Sequence, residues 1–326
     1  MSAGYDFVPL PPQVYRAQRG NDRHDRRMPD ALQAIVEVRF RAEEPVHVGM
    51  GSRALLNGKV IRQGARILGK PGIPGSSMRG VLRARLEAIS KSCCLSGAPK
   101  SRQLTKSLPS TSYPEHHVQF SQDVQRHAVF KNCEGSQLCL ACCLFGRTTQ
   151  RSRLSVRDLA LIGDSGFLVE RMPQLFSPRP HHLGKFGPPN ANKLLTVTRL
   201  YGRKFYVNGG PRVEKAEGVE VIPVGAVLAG TLSMINATQA ELGALLAALG
   251  HLPRSFLKLG SGKAHGFGRL RLTELSVRLR DGFRLRTAAP EELGRWREAF
   301  LESPDRWPEG ETALVGLHGG ADGGER

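Results

Sequence analysis

The sequence lacks any apolar run approaching the ~20 residues that a membrane-spanning helix needs. The segment 1–27 is polar and has no apolar stretch of the signal-peptide type. Aromatic residues make up only 6% of the chain, which argues against an extensive stacking platform for nucleic acid and favours contacts to phosphate and sugar. These absences predict a cytoplasmic protein with no membrane partner.

Acidic residues are also scarce, with 29 Asp and Glu against 47 Lys and Arg, so the net charge is +18. Such an excess causes self-repulsion unless a polyanion offsets it. The basic residues recur along the whole chain rather than in one tail. Nucleic acid is the commonest partner of such a surface. A basic ribosome-associated protein and a protein of acidic membrane surfaces are the alternatives.

Apolar periodicity and turn residues predict a mixed α+β protein. Alternating apolar residues predict a strand over Leu32–Phe40, and Pro74 and Gly75 mark a turn before a helix that runs to about Ser90. The capping box Thr238-Gln-Ala-Glu241 predicts a second helix. We divide the chain into an extended arm (1–30), a main domain (31–280) and a C-terminal extension (281–326), which holds a short helix near Glu291–Leu301.

The segment 91–146 is an insertion rich in cysteine and histidine, with weak apolar periodicity. Its residues His127, Cys133, Cys139 and Cys142 have the compact spacing of a structural zinc site, in which Cys139 and Cys142 form the knuckle. A bound metal would stabilise an insertion that lacks a core of its own. The same spacing can also hold iron, and buried thiols that form a redox pair are the other explanation.

The fourth ligand of this site is not determined by the spacing. We favour His127 because it is close in sequence to the three cysteines. The alternatives are Cys93, Cys94, His116 and His117.

Two segments can bind an anion through free backbone N–H groups. The first is the glycine-rich segment Gly260–Gly268, although an ordinary hairpin loop explains it equally well. The second is the start of the predicted helix, where Ser76 or Ser77 can also act as the cap. The candidate phosphate-binding residues of the two segments are Ser76, Ser77, Arg79, Arg83, Gly260, Ser261, Gly262, Lys263 and His265.

These segments resemble the RAMP superfamily of CRISPR proteins. The similarity lies in Ile73–Arg83, in Gly260–Gly268 and in the triplet Leu144-Phe-Gly146. Phe7-Val-Pro-Leu10 and Gly202-Arg-Lys-Phe-Tyr206 look most like the type III-D and III-E branch and the related type VII subunits.

The resemblance implies an α+β, ferredoxin-like (RRM-like) core with a zinc-binding insertion and a thumb β-hairpin at about 170–210. It implies a backbone subunit whose copies stack along guide RNA and present it to target RNA, in an antiviral complex with other effector subunits. The candidate thumb residues are His181, His182, Lys185 and Phe186.

Members of the family that cut the target carry an aspartate in the loop that corresponds to 49–72. Here that loop contains no Asp or Glu. Its polar residues Asn57, Lys59, Arg62 and Gln63 can bind phosphate but are poor bases. We therefore expect no catalytic residue and a nuclease on another subunit. The alternatives are a target-RNA endoribonuclease, or a guide-processing endoribonuclease with a histidine base such as His47.

Overall fold

The structure is a computed structural model that describes residues 4–20, 22–94, 118–174, 184–187, 195–210, 215–251 and 255–318. Its strands are β1 (Tyr5–Val8), β2 (Ala17–Gln18), β3 (Leu32–Ala42), β4 (Gly49–Leu56), β5 (Lys59–Gly64), β6 (Arg66–Ile67), β7 (Lys70–Ile73), β8 (Val118–Phe120), β9 (Gln137–Leu138), β10 (Leu154–Val156), β11 (Leu159–Ile162), β12 (Leu168–Pro173), β13 (Gly184–Phe186), β14 (Leu195–Leu200), β15 (Arg203–Tyr206), β16 (Ala216–Val221), β17 (Val227–Ala237), β18 (Leu257–Lys258), β19 (Arg269–Asp281) and β20 (Arg284–Thr287). Its α-helices are α1 (Gly75–Ile89), α2 (Gln122–Arg126), α3 (Leu140–Phe145), α4 (Gln239–Ala248), α5 (Pro290–Leu301) and α6 (Pro308–His318).

The central sheet is built on β3, which lies between β17 and β19 and pairs antiparallel with both. Within the described residues its order is β18-β19-β3-β17-β11-β7-β6, with β10 on β17 and β20 on β19. Alternate residues of β3, such as Val36 and Phe40, are fully buried, as the period of two requires. The predicted strand at Leu32–Phe40 is thus confirmed, and the α+β class is observed.

Helices α1 and α4 contribute to the same core. Helix α1 buries Met78, Leu82 and Leu86, each worth about 1.5–3 kcal/mol of apolar transfer free energy. The predicted capping box at the start of α4 is present in both directions, with Thr238 Oγ1 accepting from Glu241 N–H and the Glu241 carboxylate accepting from Thr238 N–H. Both helix predictions are confirmed.

The C-terminal extension packs onto this core through two helices. Helix α5 agrees with the prediction, whereas α6 was not predicted. Gly243 of α4 lets α5 approach closely, because a Cβ there would lie 1.9 Å from the Trp296 carbonyl oxygen. The indole of Trp307 donates to the carbonyl of Pro9, which ties the extension to the N-terminal arm. In the described part of the arm, β1 pairs with β15 and β2 pairs with β9.

The segment 49–72 is not an open loop. It forms the hairpin β4–β5, closed by Asn57 and Gly58, which both have positive φ angles (49° and 72°) suited to a tight hairpin turn. A second short hairpin, β6–β7, leads into α1. The first hairpin joins a four-stranded sheet of order β12-β16-β5-β4.

Residues 153–162 form two short strands, β10 and β11, which are separated by Arg157 and Asp158. Arg153 is fully buried and pairs with Glu241 at 2.5 Å. Its guanidinium also donates to the Cys143 thiol at 3.0 Å. This pair connects α4 to the segment that carries the cysteine knuckle.

Candidate metal centre and nucleic-acid interface

Four buried cysteines lie close together near the C-terminal end of α1. Cys93 lies just beyond the end of α1, Cys139 and Cys142 lie at the start of α3, and Cys133 lies in the preceding loop. Cys93 Sγ is 3.4 Å from Cys142 Sγ, 3.5 Å from Cys139 Sγ and 4.0 Å from Cys133 Sγ. A tetrahedral ion with metal–sulfur bonds of about 2.3 Å needs sulfurs about 3.8 Å apart. The group therefore fits such an ion.

Cys93 takes the place that we assigned to His127. The His127 side chain caps a short 3-10 turn, where Nδ1 accepts a hydrogen bond from the N–H of Val129 at 3.4 Å. Cys94 is not part of the group either, since its sulfur accepts from Arg203 at 2.9 Å. The remaining candidates, His116 and His117, lie outside the described residues. The correction has a simple cause: α1 returns Cys93 to the knuckle although 40 residues separate it from Cys133.

The environment of the thiols suits a soft metal. Hydrogen bonds from the thiols of Cys139, Cys142 and Cys93 lower the pKa of Cys133, and the backbone N–H of Cys139 donates to the same sulfur at 3.3 Å. The neighbouring Cys143 is outside the group, and burial raises its pKa to about 12. Four thiols with no carboxylate or water-facing ligand favour zinc or iron over magnesium or calcium.

The N-terminus of α1 differs from the prediction. Neither Ser76 nor Ser77 caps the helix, which has Pro74 at its N-cap position and no capping side chain there. Instead, the Asp158 carboxylate accepts from the N–H of Gly75 at 2.7 Å. A protein carboxylate thus already satisfies the first free N–H of the predicted anion site. Gly75 also permits the close approach, because a Cβ there would lie 2.3 Å from the Val156 carbonyl oxygen.

A groove runs along the exposed face of α1. One section encloses about 910 Å³ and the next about 380 Å³, and Gly80, Ala84 and Arg203 line both. The two sections therefore adjoin each other along α1, and the small residues Gly80 and Ala84 leave the helix surface open to a ligand. The cationic residues that line the groove are Arg79, Arg83, Arg85, Arg147, Arg203, Lys204, Lys258 and Lys263.

The cations of the groove outnumber their carboxylate partners. Burial lowers the pKa of Lys263, and burial together with the charge of Lys263 lowers the pKa of Lys204. Burial followed by the charge of Arg83 lowers the pKa of Arg79. These shifts record unfavourable burial and repulsion of positive charges, which a bound polyanion would relieve.

The most buried of these cations is Arg85. It donates to the carbonyls of Ala248 and Phe256 and to His318 Nδ1 at 3.0 Å. Among the described residues no carboxylate pairs with it, and burial lowers its pKa to about 10. The second section of the groove therefore lies over an uncompensated positive charge.

The cysteine-bearing segment positions two groove arginines. Arg147 donates to the carbonyl of Cys133 at 2.6 Å and to that of Gly135 at 3.0 Å. Arg203 donates to the Cys94 sulfur and pairs with Glu87, which also accepts from Arg83 at 2.8 Å. The conformation of the cysteine-bearing segment therefore determines the positions of Arg147 and Arg203 in the groove.

The glycine-rich segment Gly260–Gly268 is the loop between β18 and β19. A Cβ at Gly260, which has φ +86°, would lie 2.3 Å from the His47 carbonyl oxygen, so only glycine fits there. Lys263 donates to the Gly260 carbonyl at 2.7 Å and lines the groove, as Gly260 does. Ser261, Gly262 and His265 are not among the groove-lining residues. Lys258, paired with Glu44 at 2.5 Å, supports the base of the loop.

The structure separates the predicted RNA-binding residues into two groups. Ser77, Arg79, Arg83, Gly260 and Lys263 line the groove, whereas Ser76 does not. The four polar residues of the hairpin are also absent from the lining. Arg62 pairs with Glu217, Gln63 accepts from Ser52 Oγ at 2.8 Å, Asn57 forms the turn and Lys59 is exposed.

His47 does not have the setting of a general base in the groove. It is fully buried, and its Nδ1 lies 2.7 Å from the Glu220 carbonyl oxygen. Burial lowers its pKa. Of the predicted thumb residues, Lys185 lies in β13, which pairs with β14, while His181, His182 and the side chain of Phe186 lie outside the described residues.

Sequence reasoning missed several residues of the groove, among them Arg147, Arg203 and Lys204. The signal available for the last two was the segment Gly202–Tyr206, which contributes to the resemblance but was not assigned to the site. Arg147 follows directly after the triplet Leu144-Phe-Gly146 and could have been found there.

The fold and the groove define an α+β protein with a basic groove next to a cluster of four buried cysteines. The sequence model of the RAMP superfamily matches residues 39–271, which include the central sheet, α1, the cysteine segment and the glycine-rich loop. The chain belongs to the RAMP superfamily. A search of curated proteins finds no match. No helix among the described residues is long and apolar enough to cross a membrane.

Proposed function

We propose that this protein is a guide-RNA-binding backbone subunit of a type III-like or type VII CRISPR effector complex and has no nuclease activity of its own. The observation that carries the proposal is the pair of adjoining groove sections along α1, which have more cationic than acidic lining residues. The α1 residues that line the groove run from Ser77 to Glu87, a rise of about 15 Å, which spans more than one phosphate of a nucleic-acid strand.

The groove suits recognition of a backbone rather than of a base sequence. Its positive charges are distributed along its length, which favours contacts to successive phosphates. A guide must accept any spacer sequence, and a protein that holds the phosphates leaves the base edges for pairing with target RNA. The strand order β19-β3-β17-β11, with α1 after β3 and α4 after β17, supports a ferredoxin-like core beneath this groove.

In this proposal Cys93, Cys133, Cys139 and Cys142 hold zinc. Four protein ligands leave no coordination position for substrate, so the ion would have a structural role. It would order the segment that positions Arg147 and Arg203 in the groove.

We propose that the protein lacks nuclease activity because few carboxylates are available near the groove to act as a base or to bind a metal ion. The segment 49–72 has no carboxylate. In the described part of the groove the lining carboxylates are Glu87, which two arginines hold, and Glu134. Asp158 is engaged by the α1 N-terminus. We therefore assign target cutting to another subunit, and we place this subunit in the cytoplasm with further copies of itself.

The binding test uses fluorescence anisotropy of labelled single-stranded RNA at several salt concentrations. The variant Arg79→Ala is expected to bind more weakly, and the slope of log affinity against log salt is expected to fall by about 1. Arg284→Ala, at an exposed position of β20 outside the groove lining, is the matched control and is expected to behave like wild type. Wild-type protein that binds no RNA, or binds with no salt dependence, would contradict the proposal.

A further inference from the structure

The ribbon formed by β1 and β15 has two different faces. Tyr5 pairs with Tyr206, and Phe7 pairs with Lys204, so these four side chains share one face. The other face carries Val8 and Phe205, which are 0% and 8% exposed and belong to the main core. The core therefore buries Val8 and Phe205 of one face, while the aromatic rings and Lys204 share the opposite face.

The aromatic rings on this outer face contact one another edge to face. Tyr5 and Phe7 have ring centroids 5.8 Å apart and an interplanar angle of 86°, and Tyr5 and Tyr206 are 6.4 Å apart at 72°. Tyr201 extends the cluster, with its ring 5.6 Å from that of Phe7. Tyr201 is 45% exposed, so a large part of its side chain is available to a ligand.

Two lysines lie on these rings. Lys204 Nζ is 3.6 Å from the ring centroid of Tyr5 and 4.8 Å from that of Tyr206. Lys263 Nζ, from the glycine-rich loop, is 5.1 Å from the ring centroid of Tyr206. In the described part of the chain neither lysine pairs with a carboxylate. Two ammonium groups on one aromatic face thus lack an anion.

The ribbon borders the groove: Tyr5, Phe7 and Tyr201 are not lining residues, but Tyr5 contacts the lining residue Lys204 and the other two rings follow Tyr5 in the cluster. Lys204 and Tyr206 line the second section of the groove together with Lys263. A strand that places its phosphates on the two lysines brings its bases within reach of the neighbouring rings. Every base has a π-face, so stacking here would tolerate any sequence.

We propose that the outer face of the β1–β15 ribbon, with Tyr201 and Phe7 at its exposed end, is a stacking site for an unpaired base of the single-stranded RNA in the groove. This inference rests on the proposed RNA-binding function. The ligand is a single-stranded ribonucleotide, because a base within a duplex already stacks on its neighbours and offers no free face. The site adds a base contact to the phosphate and sugar contacts that the low aromatic content favours.

The test compares wild type, Tyr201→Ala and Tyr201→Phe in binding to short single-stranded RNA of mixed sequence. Tyr201→Ala is expected to weaken binding roughly tenfold to a hundredfold, while Tyr201→Phe keeps the ring and the affinity. The salt slope of Tyr201→Ala stays that of wild type, since no phosphate contact is removed. Phe283→Ala, at an exposed aromatic residue in the β19–β20 turn, is the control and leaves binding unchanged.

A second probe is RNA of the same length that carries abasic sites throughout. Wild type and Tyr201→Ala are expected to bind it equally, because the difference between them needs a base. Equal binding of ordinary RNA by the two proteins would overturn the stacking site while leaving the RNA-binding function intact. If wild type binds neither RNA, the proposed function itself fails, and the stacking site fails with it. Thermal melting of each variant checks that the fold is retained.

Discussion

The Asp158 carboxylate accepts a hydrogen bond from the backbone N–H of Gly75 at 2.7 Å, so it caps α1 from a different part of the sheet. The residue lies between β10 and β11, which both pair with β17, and from there its side chain reaches the helix. This contact gives the carboxylate a structural role next to the groove. It also occupies the helix N-terminus that we had predicted to bind phosphate.

The first prediction concerns this cap. Asp158→Ala removes the acceptor and is expected to lower the free energy of unfolding by about 1 kcal/mol. Asp158→Asn keeps an oxygen acceptor and is expected to lose less. Urea denaturation measures both values. An assembled complex that loses target cleavage with Asp158→Ala, although the protein remains folded, would instead assign the carboxylate to catalysis.

The second prediction concerns the fourth metal ligand. Cys93→Ser is expected to lose bound metal and to melt at a lower temperature, because three thiols bind a structural ion poorly and the free energy of metal binding contributes to folding. His127→Ala is the control and is expected to retain one metal ion per chain. Elemental analysis of the purified proteins measures the content and identifies zinc or iron. Retention of metal in Cys93→Ser together with its loss in His127→Ala would restore the original assignment.

The third prediction concerns the buried pair of Arg153 and Glu241. Arg153→Met removes the cation that pairs with the buried Glu241 carboxylate and is expected to cost about 3–5 kcal/mol of stability. Adding Glu241→Gln removes the charge but keeps the capping side chain, so the double variant is expected to recover part of the loss. A double-variant cycle by urea denaturation measures the coupling. Additive effects of the two substitutions would show that the pair is not coupled.

The fourth prediction concerns pH. Burial, followed by the charge of Arg85, lowers the pKa of His318 to about 3, and Lys258 and Arg269 add to the effect. In the unfolded chain the imidazole takes up a proton near its ordinary value of about 6.5. As pH falls from about 6.5 towards 3, the unfolded state binds more protons, so stability is lost by up to about 1.4 kcal/mol per pH unit.

The variant His318→Asn keeps a donor and an acceptor but does not titrate, so it is expected to lose less stability than wild type between about pH 7 and about pH 5. Urea denaturation at the two pH values gives the comparison. The same pH dependence in both proteins would mean that other groups account for it.

Local patterns of the sequence predicted local structure well. The alternation in β3 and the capping box of α4 each depend on neighbouring residues, and both are present. The β4–β5 hairpin also has a local sequence signal at Asn57-Gly58. We nevertheless expected a loop there, because the segment corresponds to the loop that carries the catalytic aspartate in target-cutting members of the family. Helix α6 was not predicted because Gly310 and Gly316 within the segment are poor helix formers.

Contacts between distant segments could not be predicted in the same way. Cys93 joins the knuckle only because α1 and the following turn return it to Cys139 and Cys142. The aromatic face likewise requires Tyr5 to meet Tyr206, which depends on the pairing of β1 with β15. The composition gives the number of aromatic residues, but their positions relative to one another depend on the fold and could not be predicted from the composition.

The most direct test of the account is purification of the protein after co-expression with a repeat–spacer array, followed by sequencing of the bound RNA and an assay of target cleavage. We expect bound guide RNA of many spacer sequences and no cleavage of complementary target RNA by this material. Absence of RNA would contradict the central claim. Cleavage at regular intervals, abolished by one substitution in this chain, would show that the protein is itself the nuclease.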